Sequence, residues 1–258
     1  MAIHSTAIVD PSAQIAATAE IGPYCIVGAD VSVGARTRAM GHVSMEGPLE
    51  IGEDNVFFPF SSVGAVPQDL KYEGERSGTR IGDRNRIREF VTIHRGTRGG
   101  GMLTSVGSDN LLMAYVHVAH DVRIGDRTVL ANGVTFAGHV QVEDWAVIGA
   151  FSGVHQFCRV GRHAIIGGYS VITQDVLPFS TTVSPREVKV FGANKTGLER
   201  RGFPAETIDG LQKAFRLLSD PKLNTSQATE RILAEVAESP ERDELLQFLK
   251  TSARGCIK

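Results

Sequence analysis

The sequence is short of the features that would place it in several large functional classes. Its three cysteines, Cys25, Cys158 and Cys256, are odd in number, far apart and free of any C-x-x-C pairing. They offer neither a disulfide framework nor a cysteine zinc site, and they fit a reducing compartment. No apolar run approaches the length that spans a bilayer, and Met1 to Pro11 lacks the basic start and apolar centre of a secretory leader. Charge of one sign is also lacking: 27 Lys+Arg against 29 Asp+Glu leave a formal net charge of -2. That balance argues against a global attraction to nucleic acid or to an anionic membrane. The expectation is a cytoplasmic protein with no nucleic-acid partner and no integral membrane segment. Its 258 residues suffice for one large core or for a main domain with a smaller appendage.

What the sequence does have is a period of six. Aliphatic or apolar residues recur at Ile3, Val9, Ile15, Ile21, Val27 and Val33, and continue through Ala39, Met45, Ile51, Phe57 and Val63. The phase returns at Ile81, Ile87 and Ile93, then resumes one residue later from Val106 through Leu112, Val118 and Ile124 to Ile172. Six fits neither an amphipathic helix nor a hairpin meander; it fits short strands turning at regular corners, each sending one aliphatic side chain inward. Three such units make a coil of about 18 residues, and successive coils stack at the strand spacing of ~4.8 Å. Residues 18 apart therefore lie one above the other. The fold expected is mainly β, a parallel β-helix of hexapeptide repeats over 1–185, with insertion loops near 64–80 and 96–105. Loops inserted into a solenoid project from it, often on the binding side.

Beyond Asp175 the period changes. Ile208, Leu211, Phe215 and Leu218 between Pro204 and Ser219 have helical spacing, as do Ile232, Leu233 and Val236 behind candidate caps at Thr225 and Ser226. Pro240 precedes a third helical stretch with Leu245, Leu246 and Leu249. The segment 186–258 is expected to be a connector followed by a small α-helical domain.

The stacking rule converts the histidines into a geometric expectation. His120 falls beneath Gly138, Asp121 beneath His139 and Ala137 beneath His155, with His117 nearby. Such an edge supplies a general base oriented by a carboxylate and a backbone N–H for a developing oxyanion, the parts that acyl transfer to a hydroxyl needs. Zinc competes for the same histidines, but their spacing within one chain is not that of an obvious ligand set, so no metal is expected. His4, His42 and His163 read as surface residues, whereas His94 ends a coil just before an insertion and is placed to face a ligand. In the first insertion Gln68, Asp69 and Lys71 combine amide, carboxylate and ammonium, a set suited to sugar hydroxyls and a diphosphate, although composition alone favours a solvated loop. Asn194, Lys195, Arg200 and Arg201 form a basic stretch suited to phosphate or an acidic carrier.

Several segments together resemble a known family: Gln68-Asp69-Leu70-Lys71-Tyr72, Val91-Thr92-Ile93-His94-Arg95-Gly96, Ala119-His120-Asp121, Ala137-Gly138-His139-Val140, Val154-His155-Gln156-Phe157-Cys158 and Gly197-Leu198-Glu199-Arg200-Arg201-Gly202-Phe203. They are similar to the UDP-N-acetylglucosamine acyltransferases that open lipid A biosynthesis, and the resemblance covers nearly the whole chain. It implies a left-handed β-helix, a homotrimer with sites between subunits, and transfer of a (3R)-3-hydroxyacyl group to the sugar 3-hydroxyl. The donor it implies is acyl carrier protein with its 4'-phosphopantetheine arm, with no further cofactor. It implies His120 as general base, Asp121 as its partner and the Gly138 N–H as oxyanion donor. By the same resemblance His117, His139, His155 and Gln156 shape the site, and Gln68, Asp69, Lys71 and His94 bind the sugar nucleotide. Asn194, Arg200 and Arg201 match positions at the nucleotide or carrier end, and Gly168 matches a position that limits acyl length, leaving a slot for a long chain. Thr196 and the turn Ser184-Pro185-Arg186-Glu187 depart from the family pattern. The same architecture also carries small-molecule acetyltransferases and γ-type carbonic anhydrases, the latter with zinc on His117, His139 or His155 across a trimer interface.

Overall fold

The computed structural model describes residues 2–184, 192–252 and 256, and the chain divides into two compact units, Met1–Ser184 and Pro185–Lys258. The unusual turn at 184–187 falls, apart from Ser184, outside the described residues.

In the first unit, strands of two to four residues form three parallel sheets of 10, 9 and 8 strands. Each strand pairs with the strand three later in chain order, except that Ile165–Ile166 pairs with Thr181–Thr182, two strands on, so the three sheets are the faces of one coil. The register is 18 residues, as in Ala2↔Glu20, Gln14↔Ser32 and His117↔Thr135. Val56 pairs with Arg86, 30 positions on, and Arg86 with Leu111, 25 positions on. The first insertion therefore adds 12 residues to a coil and the second adds seven.

The six-residue apolar position is the interior of the coil. From Ile21 to Ile172 its residues are buried, and Phe57, Phe136, Ile87 and Leu130 are fully so. Ile3 is 38% exposed, and Val9 and Ile15 are only half-buried, because the first coil has no coil below it to complete the packing. Two residues before most of these positions a second side chain is also buried, and at one corner it is polar. Asn55, Asn85 and Asn110 donate to the carbonyls of Gly82, Gly107 and Gly125 at 2.8 to 2.9 Å, which satisfies amides that burial would otherwise destabilise.

The corners themselves are left-handed. Tyr24, Asp30, Arg36 and His42 have φ of 56, 55, 59 and 51°, a conformation that costs a non-glycine residue roughly 1–2 kcal/mol. Contacts between successive coils offset that strain.

The second unit is helical: α1 (Lys195–Arg200), α2 (Ala205–Leu218), α3 (Thr225–Glu235) and α4 (Pro240–Thr251). Ile208, Ala214, Leu217 and Leu218 of α2 and Ala228 and Ile232 of α3 are buried. Leu233, expected on the apolar stripe, is 54% exposed. The cap of α3 is Asn224 rather than Thr225 or Ser226: its side chain accepts from Gln227 N, while the Gln227 side chain accepts from Asn224 N. The short α1 lies in what reads from sequence as the connector.

Candidate active site

Both insertions leave the β-helix at the same edge. Each connects a strand of the nine-stranded sheet to one of the eight-stranded sheet: Ser62–Ala65 to Gly78–Ile81, then Thr92–His94 to Leu103–Val106. The next three coils cross this corner between His117–Val118 and Arg123–Ile124, between Thr135–Phe136 and Gln141–Val142, and between Gly153–Val154 and Arg159–Val160. His120 and Asp121, Gly138 and His139, and His155, Gln156 and Phe157 occupy those three crossings in turn. The period thus delivers the chemistry-bearing residues to one edge, and the insertions flank them.

At the centre, His120 Nδ1 lies 2.9 Å from Asp121 Oδ2. A carboxylate only accepts, so Nδ1 carries the proton and Nε2 is left as the basic nitrogen. The Asp121 side chain is fully buried. The His120 ring packs directly against Gly138, a buried residue whose N–H makes no hydrogen bond among the described residues. His139 meets His120 edge to face, with centroids 5.0 Å apart, and stacks on Phe157 at 4.5 Å. Burial holds the His139 imidazole below its ordinary pKa, against an opposing pull from Asp121.

A second histidine pair completes the wall. His94 is 6% exposed and meets His117 edge to face at 5.0 Å. Burial, reinforced by His117 and His120, pushes the His94 pKa down to about 4, so it is a neutral ring at neutral pH. Its Nδ1 is buried without a hydrogen-bond partner, a group ready for a ligand. His117 is likewise lowered by burial and then by His120, and its Nδ1 shares a 2.7 Å hydrogen bond with Thr92 Oγ1.

These groups line a cavity of about 540 Å³, with Gln68, His94, His117, His120, Gly138 and His155 on its surface. A second cavity of about 430 Å³ is lined by Asp69, Lys71, Thr97, Arg98, His139 and Phe157. Asp69 Oδ2 stands 3.9 Å from His120 Nε2 and connects the two. A negative carboxylate, an ammonium and several neutral donors beside a base suit a polyhydroxylated, anionic substrate.

Other residues singled out in the sequence are placed elsewhere. Gln156 is exposed on the same edge and does not line the larger cavity. At Gly168 a Cβ would sit 2.9 Å from Ala150 O and 3.2 Å from Ala150 N. Glycine is required at that point by the close approach of neighbouring coils. Asn194, Arg200 and Arg201 belong to the helical unit, where they are exposed. The Asn194 side chain accepts from Gly197 N as the cap of α1. Among the described residues, His120, Asp121 and His139 each present one ligand atom within 4.8 Å of the others. Two site residues escape the sequence reading. Thr92 is recoverable from the register, since it pairs with His117 across the second insertion. Thr97, which bonds Asp121, sits inside that insertion, where no period applies.

Comparison with known proteins identifies the family. Residues 104–138 match the family described as bacterial transferase hexapeptide (six repeats), and residues 175–257 match the second domain of UDP-N-acetylglucosamine O-acyltransferase. The acyl-[acyl-carrier-protein]--UDP-N-acetylglucosamine O-acyltransferases of Thermodesulfovibrio yellowstonii and Herminiimonas arsenicoxydans are 48% and 46% identical to the chain, each over 99% of both sequences. Among solved structures, the UDP-N-acetylglucosamine O-acyltransferase of Moraxella catarrhalis is 43% identical over 100% of both chains with a TM-score of 0.69. That of Francisella novicida is 40% identical, over 99% of this chain and 93% of the other, with a TM-score of 0.70. The architecture is the left-handed parallel β-helix with a small helical C-terminal part, and the protein belongs to the UDP-N-acetylglucosamine O-acyltransferase family.

Proposed function

We propose that the protein moves a 3-hydroxyacyl group from acyl carrier protein to the 3-hydroxyl of UDP-N-acetylglucosamine, the first step of lipid A biosynthesis. The observation that carries this is the His120–Asp121 pair, held at 2.9 Å beneath a cavity that also holds a free Gly138 N–H. His120 Nε2 takes the proton of the sugar hydroxyl as its oxygen attacks the thioester carbonyl. The tetrahedral oxyanion is received by the Gly138 N–H. Collapse breaks the C–S bond, and the imidazolium returns the proton to the pantetheine sulfur. Asp121 holds the tautomer and balances the transient positive charge.

Gln68, Asp69, Lys71 and His94 contact the sugar nucleotide, with Lys71 at the diphosphate; His117, His139, His155 and Gln156 shape the surrounding surface. Asn194, Arg200 and Arg201 serve the nucleotide or carrier end, and the donor is a long (3R)-3-hydroxyacyl chain whose length is set near Gly168. The active form is a homotrimer with sites between subunits. The exposure of Ile8, Ile26 and Val171, all on the nine-stranded sheet, supports a partner covering that face. A cytoplasmic location fits the three unpaired cysteines and the absence, among the described residues, of any helix long and apolar enough to cross a membrane.

Mass spectrometry of the products formed from UDP-N-acetylglucosamine and a mixture of 3-hydroxyacyl carrier proteins tests the reading. A 3-O-acylated sugar nucleotide and free carrier thiol are expected. A product acylated on nitrogen, or acetyl transfer from acetyl-coenzyme A alone, would replace it. Zinc in the purified protein together with bicarbonate formation would favour the carbonic anhydrase reading.

A further inference from the structure

We propose that Thr97 is a positioning residue for the transfer reaction: it fixes the Asp121 carboxylate so that Asp121 pairs with His120 and not with His139. The inference rests on His120 acting as the general base.

Thr97 opens the second insertion and is 5% exposed. It grips both oxygens of one carboxylate. Its N–H donates to Asp121 Oδ1 at 2.9 Å and its hydroxyl donates to Asp121 Oδ2 at 2.5 Å. The Asp121 backbone is held from another side, its N–H donating to Thr104 Oγ1 at 2.7 Å. With two contacts from a single residue, the plane of the carboxylate has no freedom to turn.

The local helix does not account for this hydroxyl. Thr97 precedes the 3-10 turn Arg98–Gly100 at the position where a threonine ordinarily caps with its side chain, yet it makes no side-chain cap bond there. The turn is held instead by the Thr97 carbonyl, which accepts from Gly100 N at 3.1 Å and Met102 N at 2.9 Å. The hydroxyl is directed wholly at Asp121.

What it prevents is visible in the neighbouring distances. Asp121 Oδ2 lies 2.9 Å from His120 Nδ1 but also 3.9 Å from His139 Nδ1. A modest rotation of an unrestrained carboxylate would exchange one histidine for the other, and His120 would lose the partner that keeps the proton on Nδ1. The insertion is shaped to keep this clamp closed. A Cβ at Gly100 would overlap the Asp121 carboxyl group, so only glycine lets the turn settle over it. On its outer side the turn is tied to the first insertion by Arg98 N donating to Glu75 Oε1 at 2.9 Å. The two insertions are therefore coupled through the residues that order the catalytic pair.

The test uses the full-length protein with UDP-N-acetylglucosamine and a 3-hydroxyacyl carrier protein. Thr97→Val removes the hydroxyl and keeps both the shape and the N–H; Thr97→Ser restores the hydroxyl on a smaller side chain; His120→Ala runs in parallel. For Thr97→Val, kcat should fall about ten- to hundred-fold, the range set by one hydrogen bond to a charged group, while both KM values and the melting temperature stay near native. Thr97→Ser should recover most of that kcat. Native kcat in Thr97→Val, or a loss that Thr97→Ser does not recover, overturns the inference. If His120→Ala turns over at a near-native rate, the general-base reading fails first. If His120→Ala is inactive and Thr97→Val is native, the positioning role alone fails.

Discussion

Two edges of the β-helix differ instructively from the third, although all three are built from left-handed corners six residues apart. Between the ten- and nine-stranded sheets the corner residues Tyr24, His42, Phe60, Phe90 and Tyr115 stack in one column, with centroids 4.9 to 5.2 Å apart. Between the eight- and ten-stranded sheets they alternate in charge. Arg36 meets Asp54 and Arg84 meets Asp109, each pair at 2.7 Å, and Arg127 lies over the Trp145 ring. On both edges a strained corner finds its partner in the next coil. On the third edge Asp121 and His139 occupy the same kind of corner, with φ of 61 and 64°. There, residues of an insertion serve Asp121, and the nitrogens of His120 and His94 face a cavity. Repetition builds the scaffold; interrupting the repetition supplies groups that the scaffold does not consume.

Substitutions should separate the edges. Asp121→Asn is expected to have a large effect on kcat, within the ~10²–10⁴-fold ascribed to a positioned base yet smaller than removal of the imidazole itself. An equal or larger loss would move the base elsewhere on the edge. Lys71→Ala should weaken UDP-N-acetylglucosamine by roughly 1.5–3 kcal/mol, about ten- to hundred-fold in Kd, through loss of a charge-assisted phosphate contact. An unchanged titration would mean that the first insertion is merely solvated.

Acid should act on the same edge. The pKa of His94 is depressed to about 4 by burial, and those of His117 and His139 are lowered for the same reason. The unfolded chain therefore binds these protons first. Their contribution to stability is complete above about pH 6.5 and is lost as pH falls toward 4. A pH series of melting temperatures should show that loss, and His94→Gln should flatten it. Phe90→Ala, on the aromatic edge, should remove two stacked contacts worth about 0.5–1.5 kcal/mol each and lower the melting temperature, with kcat unchanged. A fall in kcat there would dissolve the distinction between the edges.

The scaffold was legible because one physical rule, an interior position every sixth residue, repeats some two dozen times and tolerates imperfect members such as Ala39 and Met45. The same rule brought His120, Gly138 and His139 to one edge. It failed where periodicity stops. Thr97 and the glycine that closes over Asp121 lie in an insertion whose conformation depends on contacts with Glu75 and Asp121, residues remote in sequence. At Gly168 the sequence shows only a glycine in a coil, and the 2.9 Å at which a Cβ there would approach Ala150 O depends on a neighbouring coil that periodicity does not describe in atomic detail. In the helical unit, Asn224 displaced the expected caps because its side chain and that of Gln227 satisfy each other's backbone, a reciprocity that the run Asn224-Thr225-Ser226 does not reveal.

The claim on which the rest depends is that the His120 imidazole receives the proton of the sugar hydroxyl. Its most direct test is kcat/KM for acyl transfer by His120→Ala, measured beside its melting temperature. The account predicts a loss of ~10²–10⁴-fold in a variant that melts like the native protein. Near-native turnover by that folded variant would contradict it.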